Sequence, residues 1–309
     1  MFNMFKMRKE IPMGEKVKKL AAAAAAVIFL TALTGCSSPG ADNDTFDSSR
    51  QINVISREGG SGTRGAFIEL MGIEEKGTDG KKTDRTTVEA IIANKTDVVL
   101  TGVAGDKYSI GYISLGSLND SVKALSIDGA AASVENIKNK SYNVARPFNV
   151  AVRKGVISAL AEDFIAFVMS REGQAVVAKG YIAVNDAAEM YSGSKPSGKL
   201  VIAGSSSVSP IMEKLVEAYR VVNTGAVIEV QTSDSTAGMT AARDGTCDIG
   251  MASRELKASE LEELDPLAIA LDGIAVIVNN SNPLDGLKSS DVRKIYIGEI
   301  ESWDEVNSK

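Results

Sequence analysis

Three times along this chain a short β-branched run gives way to a small polar turn and then to a helical pattern. Ile52-Asn53-Val54-Ile55 leads into Ser56-Arg57-Glu58-Gly59-Gly60-Ser61-Gly62-Thr63-Arg64, and Leu200-Val201-Ile202 leads into Ala203-Gly204-Ser205-Ser206-Ser207-Val208. Val227–Val230 leads into Ser233-Asp234-Ser235-Thr236-Ala237-Gly238. A strand that ends in small residues and feeds a helix gathers backbone N–H groups and the positive end of a helix dipole at one spot. Such a spot favours an oxyanion. Strands alternating with helices predict an α/β architecture with ligands at the carboxyl ends of the strands.

The rest of the chain follows the same alternation. Val98–Leu100, Ile110–Ile113, Asn149–Val152 and Ile274–Val278 read as further strands rich in Val and Ile. Val208, Ile211, Met212, Leu215, Val216 and Tyr219 recur at helical spacing, with Pro210 in the first turn where a missing N–H costs nothing. Ala159–Met169 predicts a second helix with Leu160, Phe164, Ile165 and Val168 inward. A third opens near Thr63 with Ala66, Phe67, Leu70 and Met71 inward. Ser192–Lys199 has the composition of a linker and separates two halves with different motifs.

Residues 1–35 are expected to lie outside the fold. Lys6, Arg8, Lys9, Lys16, Lys18 and Lys19 make a basic leader, and Leu20–Leu33 is an apolar, alanine-heavy run shorter than the roughly 20 residues of a membrane-spanning helix. It stops at Leu33-Thr34-Gly35-Cys36, which resembles the bacterial lipobox, in which the cysteine is lipidated. Residues 36–50 then read as a tether. This organisation places the body outside the cytoplasm, on the outer face of the cell membrane.

The leader holds six Lys/Arg and two Glu, a net of +4, so the remainder carries −10 against −6 for the whole chain. An acidic body excludes nucleic acid, which calls for a basic face. An anionic ligand must then be held by local dipoles and one or two cations. Cys247 is the one cysteine besides Cys36, so no intramolecular disulfide framework is available and Cys247 reads as a small core residue. Histidine is absent, which removes the Ser–His–Asp arrangement and imidazole metal sites. Binding without catalytic residue, cofactor or metal is the expected class; a serine-nucleophile hydrolase using Ser61 or Ser206 is the remote alternative.

Arg57 offers a fork of N–H donors suited to an oxyanion, and Ser61 and Thr63 add hydroxyls. The serine triplet repeats the arrangement without a cation. Taken together, Ala203-Gly204-Ser205-Ser206-Ser207-Val208-x-Pro210, Ser233-x-Ser235-x-Ala237-Gly238, Asp248–Arg254, Asp272–Asn279 and Ile295-Tyr296-x-Gly298-x-Ile300-x-x-Trp303 resemble the first half of the phosphate-binding proteins of ABC phosphate importers. Arg57-Glu58-x-Gly60-Ser61-Gly62-Thr63-Arg64 resembles the opening of their second half, and Phe164–Gln174 its end. The likeness covers most of residues 50–309.

The order departs from the family. There, the segment ending in tryptophan runs on into the arginine–serine–glycine–threonine loop; here the chain begins with that loop and ends six residues after Trp303. Joining Asp304–Asn307 to Gln51–Val54 restores the order, so the chain resembles a circular permutant with 192–199 bridging the former termini. A fragment of a tandem pair is the competing account.

The resemblance implies a two-lobed α/β periplasmic-binding-protein fold of type II with a two-strand hinge. One discontinuous lobe would comprise 51–145 plus 274–309 and the other 146–273, with crossovers near Pro147–Val152 and Asp272–Val278. Residue by residue, it implies that Ser206, Ser207 and Ser235 bind phosphate from one lobe and Arg57, Ser61, Gly62 and Thr63 from the other. Ser205, Ser253 and Asp272 stand beside them as further candidates. Some members place carboxylates where Ser253-Arg254 and Gly59 stand, to accept the proton of hydrogen phosphate and reject sulfate; neither position is acidic here. Asp234, Asp272 or Glu58 would have to substitute. The expected function is a lipid-anchored, monomeric receptor that captures inorganic phosphate in the cleft and delivers it to membrane permease subunits. A receptor for another tetrahedral oxyanion, or a phosphate sensor, is the alternative.

Overall fold

The computed structural model describes residues 45–78 and 80–306; the leader, Cys36, most of the tether and Asn307 lie outside these. From Phe46 onward the chain forms one compact unit. Its centre is a sheet of nine strands: β1 (Asn53–Arg57), β2 (Ile91–Ala93), β3 (Ser109–Ser114), β4 (Lys123–Ala124), β5 (Ala145–Arg153), β6 (Gly198–Ser205), β7 (Ala226–Ser233), β8 (Ile249–Ala252) and β9 (Leu264–Val278). Their spatial order is β7-β6-β8-β5-β9-β3-β1-β2, with β4 beside β9.

β9 carries the sheet from one lobe to the other. Its first part, Leu264 to Gly273, runs antiparallel to β5; its last part, Ile274 to Val278, runs antiparallel to β3. Gly273 pairs with Ala145, and Ile274 N donates to Val144 O at 2.8 Å, so both crossing strands meet at this handover. The apolar core divides there too. One set of buried side chains runs from Ile52 to Val144 and resumes from Ile274 to Val306, with Ile182 added. The other lies within Phe148–Ala270. The two cores are joined by two crossing strands, the arrangement from which hinge folds are built.

The helices follow the three strand–turn motifs. α1 (Gly62–Leu70) follows β1, α2 (Thr96–Gly105) follows β2, and α3 (Ala159–Met169) and α4 (Arg171–Val177) follow β5. α5 (Ser209–Val222) follows β6, α6 (Ser235–Asp244) follows β7, and α7 (Ser289–Tyr296) lies near the C-terminus. α5 buries Ile211, Met212, Leu215, Val216 and Tyr219, the stripe its spacing predicts, and carries Pro210 in its first turn. Among the described residues no helix is long and apolar enough to cross a membrane. Cys247 is buried, and burial pushes its thiol up to about 11, as for an inert core residue.

Three local expectations are corrected. Val98–Leu100 is not a strand but the middle of α2, where Val99, Leu100 and Val103 pack inward at helical spacing. A three-residue apolar run has no period of its own, and packing overrides β-propensity. On α1 it is Phe67, Ile68 and Met71 that are buried, whereas Leu70 is 44% exposed. Ile274–Val278 is only the end of a strand of 15 residues that begins at Leu264 and runs through Pro266, a residue that signals against strand.

Ser192–Pro196 is irregular, and Gly198 and Lys199 already belong to β6, pairing with Ala226 and Val227. Lys195 N donates to Asp163 Oδ1 at 3.3 Å and Asn223 Nδ2 donates to Pro196 O at 2.9 Å, so the segment is tied down. The two ends of the described chain lie together. Gln51 bridges Ser302, Ile52 N donates to Glu301 O at 2.7 Å and Asp304 N donates to Ser48 O at 2.8 Å. Trp303 donates from Nε1 to Tyr108 O at 3.1 Å and packs edge-on against Phe46.

Candidate anion-binding site

The β1–α1 loop starts from a fixed strand end. Ser56 Oγ lies 2.9 Å from Tyr112 Oη, which also accepts from Arg57 N at 3.1 Å. Arg57 is 2% exposed and cannot swing, because Glu58 grips it from the side: Nε and Nη2 each donate to a Glu58 carboxylate oxygen at 2.8 Å. The remaining edge of the fork crosses to the other lobe, where Nη2 donates to Ser206 Oγ at 3.1 Å, across 149 positions of sequence. Nη1 donates to Thr96 Oγ1 at 3.4 Å. Ser61 caps α1, its Oγ accepting from Arg64 N at 3.3 Å.

The other lobe meets this loop with hydroxyls. Ser207 Oγ lies 2.8 Å from Thr63 Oγ1. Ser253 Oγ lies 3.0 Å from Ser205 Oγ, 3.3 Å from Thr63 Oγ1 and 3.4 Å from Ser235 Oγ, and Ser253 N donates to Ser235 Oγ at 3.1 Å. Thr96 Oγ1 is 3.4 Å from Ser206 Oγ and 3.3 Å from Ser207 Oγ. All these side chains are buried. The lobes touch here because Gly62 has no side chain: a Cβ would lie 2.4 Å from Ser235 Oγ and 2.8 Å from Ser253 Oγ. Gly204 has φ +135° and sits with its Cα against the Met251 backbone, a place and conformation open to glycine alone.

The structure thus brings Arg57, Ser61, Gly62, Thr63, Ser205, Ser206, Ser207, Ser235 and Ser253 to one interlobe spot, at the start of α1, α5 and α6. Four helix N-termini, that of α2 at Thr96 among them, and a guanidinium converge there, which is the chemistry of an oxyanion seat. Asp272 stands apart. Its carboxylate accepts from Arg146 Nη1 at 2.8 Å and from Gly116 N at 3.3 Å, and burial pushes it up to about 6 even though Arg146 opposes the shift. The other proton acceptors considered from the sequence are also engaged: Asp234 Oδ1 caps α6 by accepting from Ala237 N at 2.8 Å, and Glu58 holds Arg57. Arg254 turns to Glu260 at 2.8 Å.

Sequence reasoning missed Thr96 and Arg146. Thr96 opens the helix that had read as a strand, so its N-terminal place was invisible. Arg146 lies at the crossover in Ala145-Arg146-Pro147-Phe148; a lone arginine in an apolar crossing segment was the available signal.

Comparison with known proteins identifies the family. The family model described as "PBP superfamily domain" matches residues 15–172 and 190–309. The chain is 50% identical over 278 residues to phosphate-binding protein PstS 2 of Streptococcus agalactiae, covering 89% of this chain and 93% of that one. It is 44% identical over 292 residues to phosphate-binding protein PstS 2 of Streptococcus pneumoniae, covering 94% and 99%. A crystal structure of a phosphate ABC transporter phosphate-binding protein from Streptococcus pneumoniae superposes with a TM-score of 0.66 at 46% identity, over 83% of this chain and 100% of that one. Identity of this order across nearly the whole of both partners leaves one assignment: the chain belongs to the PstS family of phosphate-binding proteins, within the PBP superfamily.

Proposed function

We propose that this protein captures inorganic phosphate between its lobes and hands it to the membrane permease of an ABC importer. The contact from Arg57 to Ser206 carries the reading: at 3.1 Å it joins the two loops inside a buried cluster of hydroxyls at four helix starts. Arg57, Ser61, Gly62, Thr63, Ser206, Ser207 and Ser235 are the proposed ligand-binding residues, with Ser205 and Ser253 in support. Binding, not turnover, is the proposed role, since a seat made of donors with every nearby carboxylate committed offers no general base. Calorimetry tests it: phosphate is expected to bind, and a protein that gives no heat with phosphate would remove the reading.

The commitment of Glu58, Asp234, Asp272 and Glu260 to other partners favours a second reading, in which other tetrahedral oxyanions compete. A carboxylate free to meet a fully ionised guest would exclude it by several kcal/mol, roughly. Sulfate displacing phosphate at comparable concentration would support this reading.

The proposed location is extracytoplasmic, with lipid on Cys36 as the anchor and the protein acting as a monomer. Labelling with a radioactive fatty acid, lost in Cys36→Ala, tests the anchor. The order of segments is proposed to be a circular permutation of two lobes, 51–145 with 274–309 and 146–273. The pairing of Ile52 with Glu301 at 2.7 Å supports it. A gene reordered to start at Ser197, with residue 306 joined to residue 46, is expected to give a protein of similar phosphate affinity.

A further inference from the structure

Arg146 is the second guanidinium at the interlobe contact, and it faces the hydroxyl cluster from the hinge side. Its Nε donates to Ser253 O at 3.1 Å, its Nη1 to Asp272 Oδ2 at 2.8 Å and to Gly273 O at 3.0 Å, and its Nη2 to Thr63 Oγ1 at 3.0 Å. Its plane lies over the Phe148 ring, 5.2 Å from the centroid. Both members of the pair with Asp272 are almost wholly buried. As a stabilising device such a pair is poor, because removing two charges from water cancels most of their attraction. Its geometry has another use. A guanidinium only donates, so Thr63 Oγ1 accepts from Arg146 and its own proton is left for Ser207 Oγ at 2.8 Å, Ser253 Oγ at 3.3 Å or a guest in the seat.

We propose that Arg146 is a positioning residue for anion binding: anchored on the hinge by Asp272 and Gly273, it fixes Thr63 as a hydrogen-bond donor and holds Ser253 beside it. Thr63 belongs to one lobe and Ser253 to the other, while Gly273 marks the strand handover. The guanidinium therefore ties the angle of the hinge to the polarity of the seat. The proposal rests on the phosphate reading of the cleft.

The test is a double-mutant cycle read by phosphate calorimetry. Arg146→Lys keeps a buried positive charge for Asp272 but loses the fork; it is expected to weaken binding about tenfold while the unliganded protein melts within a few degrees of the parent. Thr63→Val is expected to weaken binding by a similar factor, about tenfold, as for loss of one buried donor. Arg146→Lys combined with Thr63→Val should lose clearly less than the product of the two single losses, because most of the lysine effect acts through the lost hydroxyl. Losses that multiply, or unchanged affinity in Arg146→Lys, overturn the proposal. Should the lysine variant not fold, Arg146→Gln with Asp272→Asn removes the charge pair as a unit and enters the same cycle with the same two outcomes. A parent protein that binds no phosphate defeats the cleft reading and the proposal together; a parent that binds beside an indifferent Arg146→Lys defeats the proposal alone.

Discussion

The loop from Arg57 to Thr63 and the loop from Ser205 to Ser207 occupy equivalent places, each between a strand end and a helix start, yet they bring different chemistry. The first carries a full charge, and that charge is aimed by a carboxylate: Glu58 takes two of the five guanidinium N–H groups at 2.8 Å each, which leaves the free edge pointing at Ser206. The second carries no charge. It offers hydroxyls and the start of a helix of 14 residues, the longest of those meeting at the seat. In the proposed seat the charge comes from one lobe alone, while helix starts come from both. A charge acts over distance but is screened by salt, while a helix start acts within its first turn. An acidic chain that must hold an anion needs both, and needs them in separate lobes if closure is to follow binding.

Substitutions can break that comparison or make it finer. The largest effect is expected for Arg57→Ala, which should weaken phosphate binding by about 2–4 kcal/mol by removing a charge-assisted bond from a dry cleft; titration calorimetry measures it, and a loss no greater than that of a serine variant would erase the asymmetry. Gly62→Ala comes next. Its methyl would meet Ser235 Oγ at 2.4 Å, so the lobes should fail to close fully, at about 1–3 kcal/mol of affinity, with a larger solution radius in the presence of phosphate as the second readout. Ser206→Ala should cost about 1–2 kcal/mol, the value of one hydrogen bond on the uncharged side.

The last expected effect concerns stability and pH rather than affinity. Burial holds Asp272 at about 6 in the fold against 3.8 unfolded, so between those values the folded protein binds the extra proton. Its contribution is fully present below about pH 4 and is lost as pH rises through about 6. The difference in urea midpoint between the parent and Asp272→Asn should therefore change across pH 4–6 and be flat above it. A difference independent of pH across that range would show that Asp272 stays ionised throughout.

Much of this was legible in the sequence because the informative residues are local. A strand end, small polar residues and an amphipathic stripe follow one another without a gap at Ile52–Met71 and Leu200–Tyr219, and each of these became a strand, turn and helix in register. What escaped reading depends on neighbours distant in sequence. Val98–Leu100 joined a helix because Val99 and Val103 found the face of β1 and β3 to cover. Pro266 sits inside a strand because β9 is pinned by β5 on one side there and needs no donor at that position. Arg146 gave no local sign of its role; four acceptors from Thr63, Ser253, Asp272 and Gly273 define it, and three of those lie more than 100 positions away.

The pairing of Ile52 with Glu301, and the hydrogen bond from Trp303 to Tyr108, have a consequence for the order of folding. A chain made from its N-terminus completes the core around Phe148–Ala270 from one continuous stretch, whereas the core containing Ile52 and Phe67 stays open until Val292–Val306 has been synthesised. Strand β1 waits for Val292–Val306, so the lobe that carries Arg57 is assembled after the other.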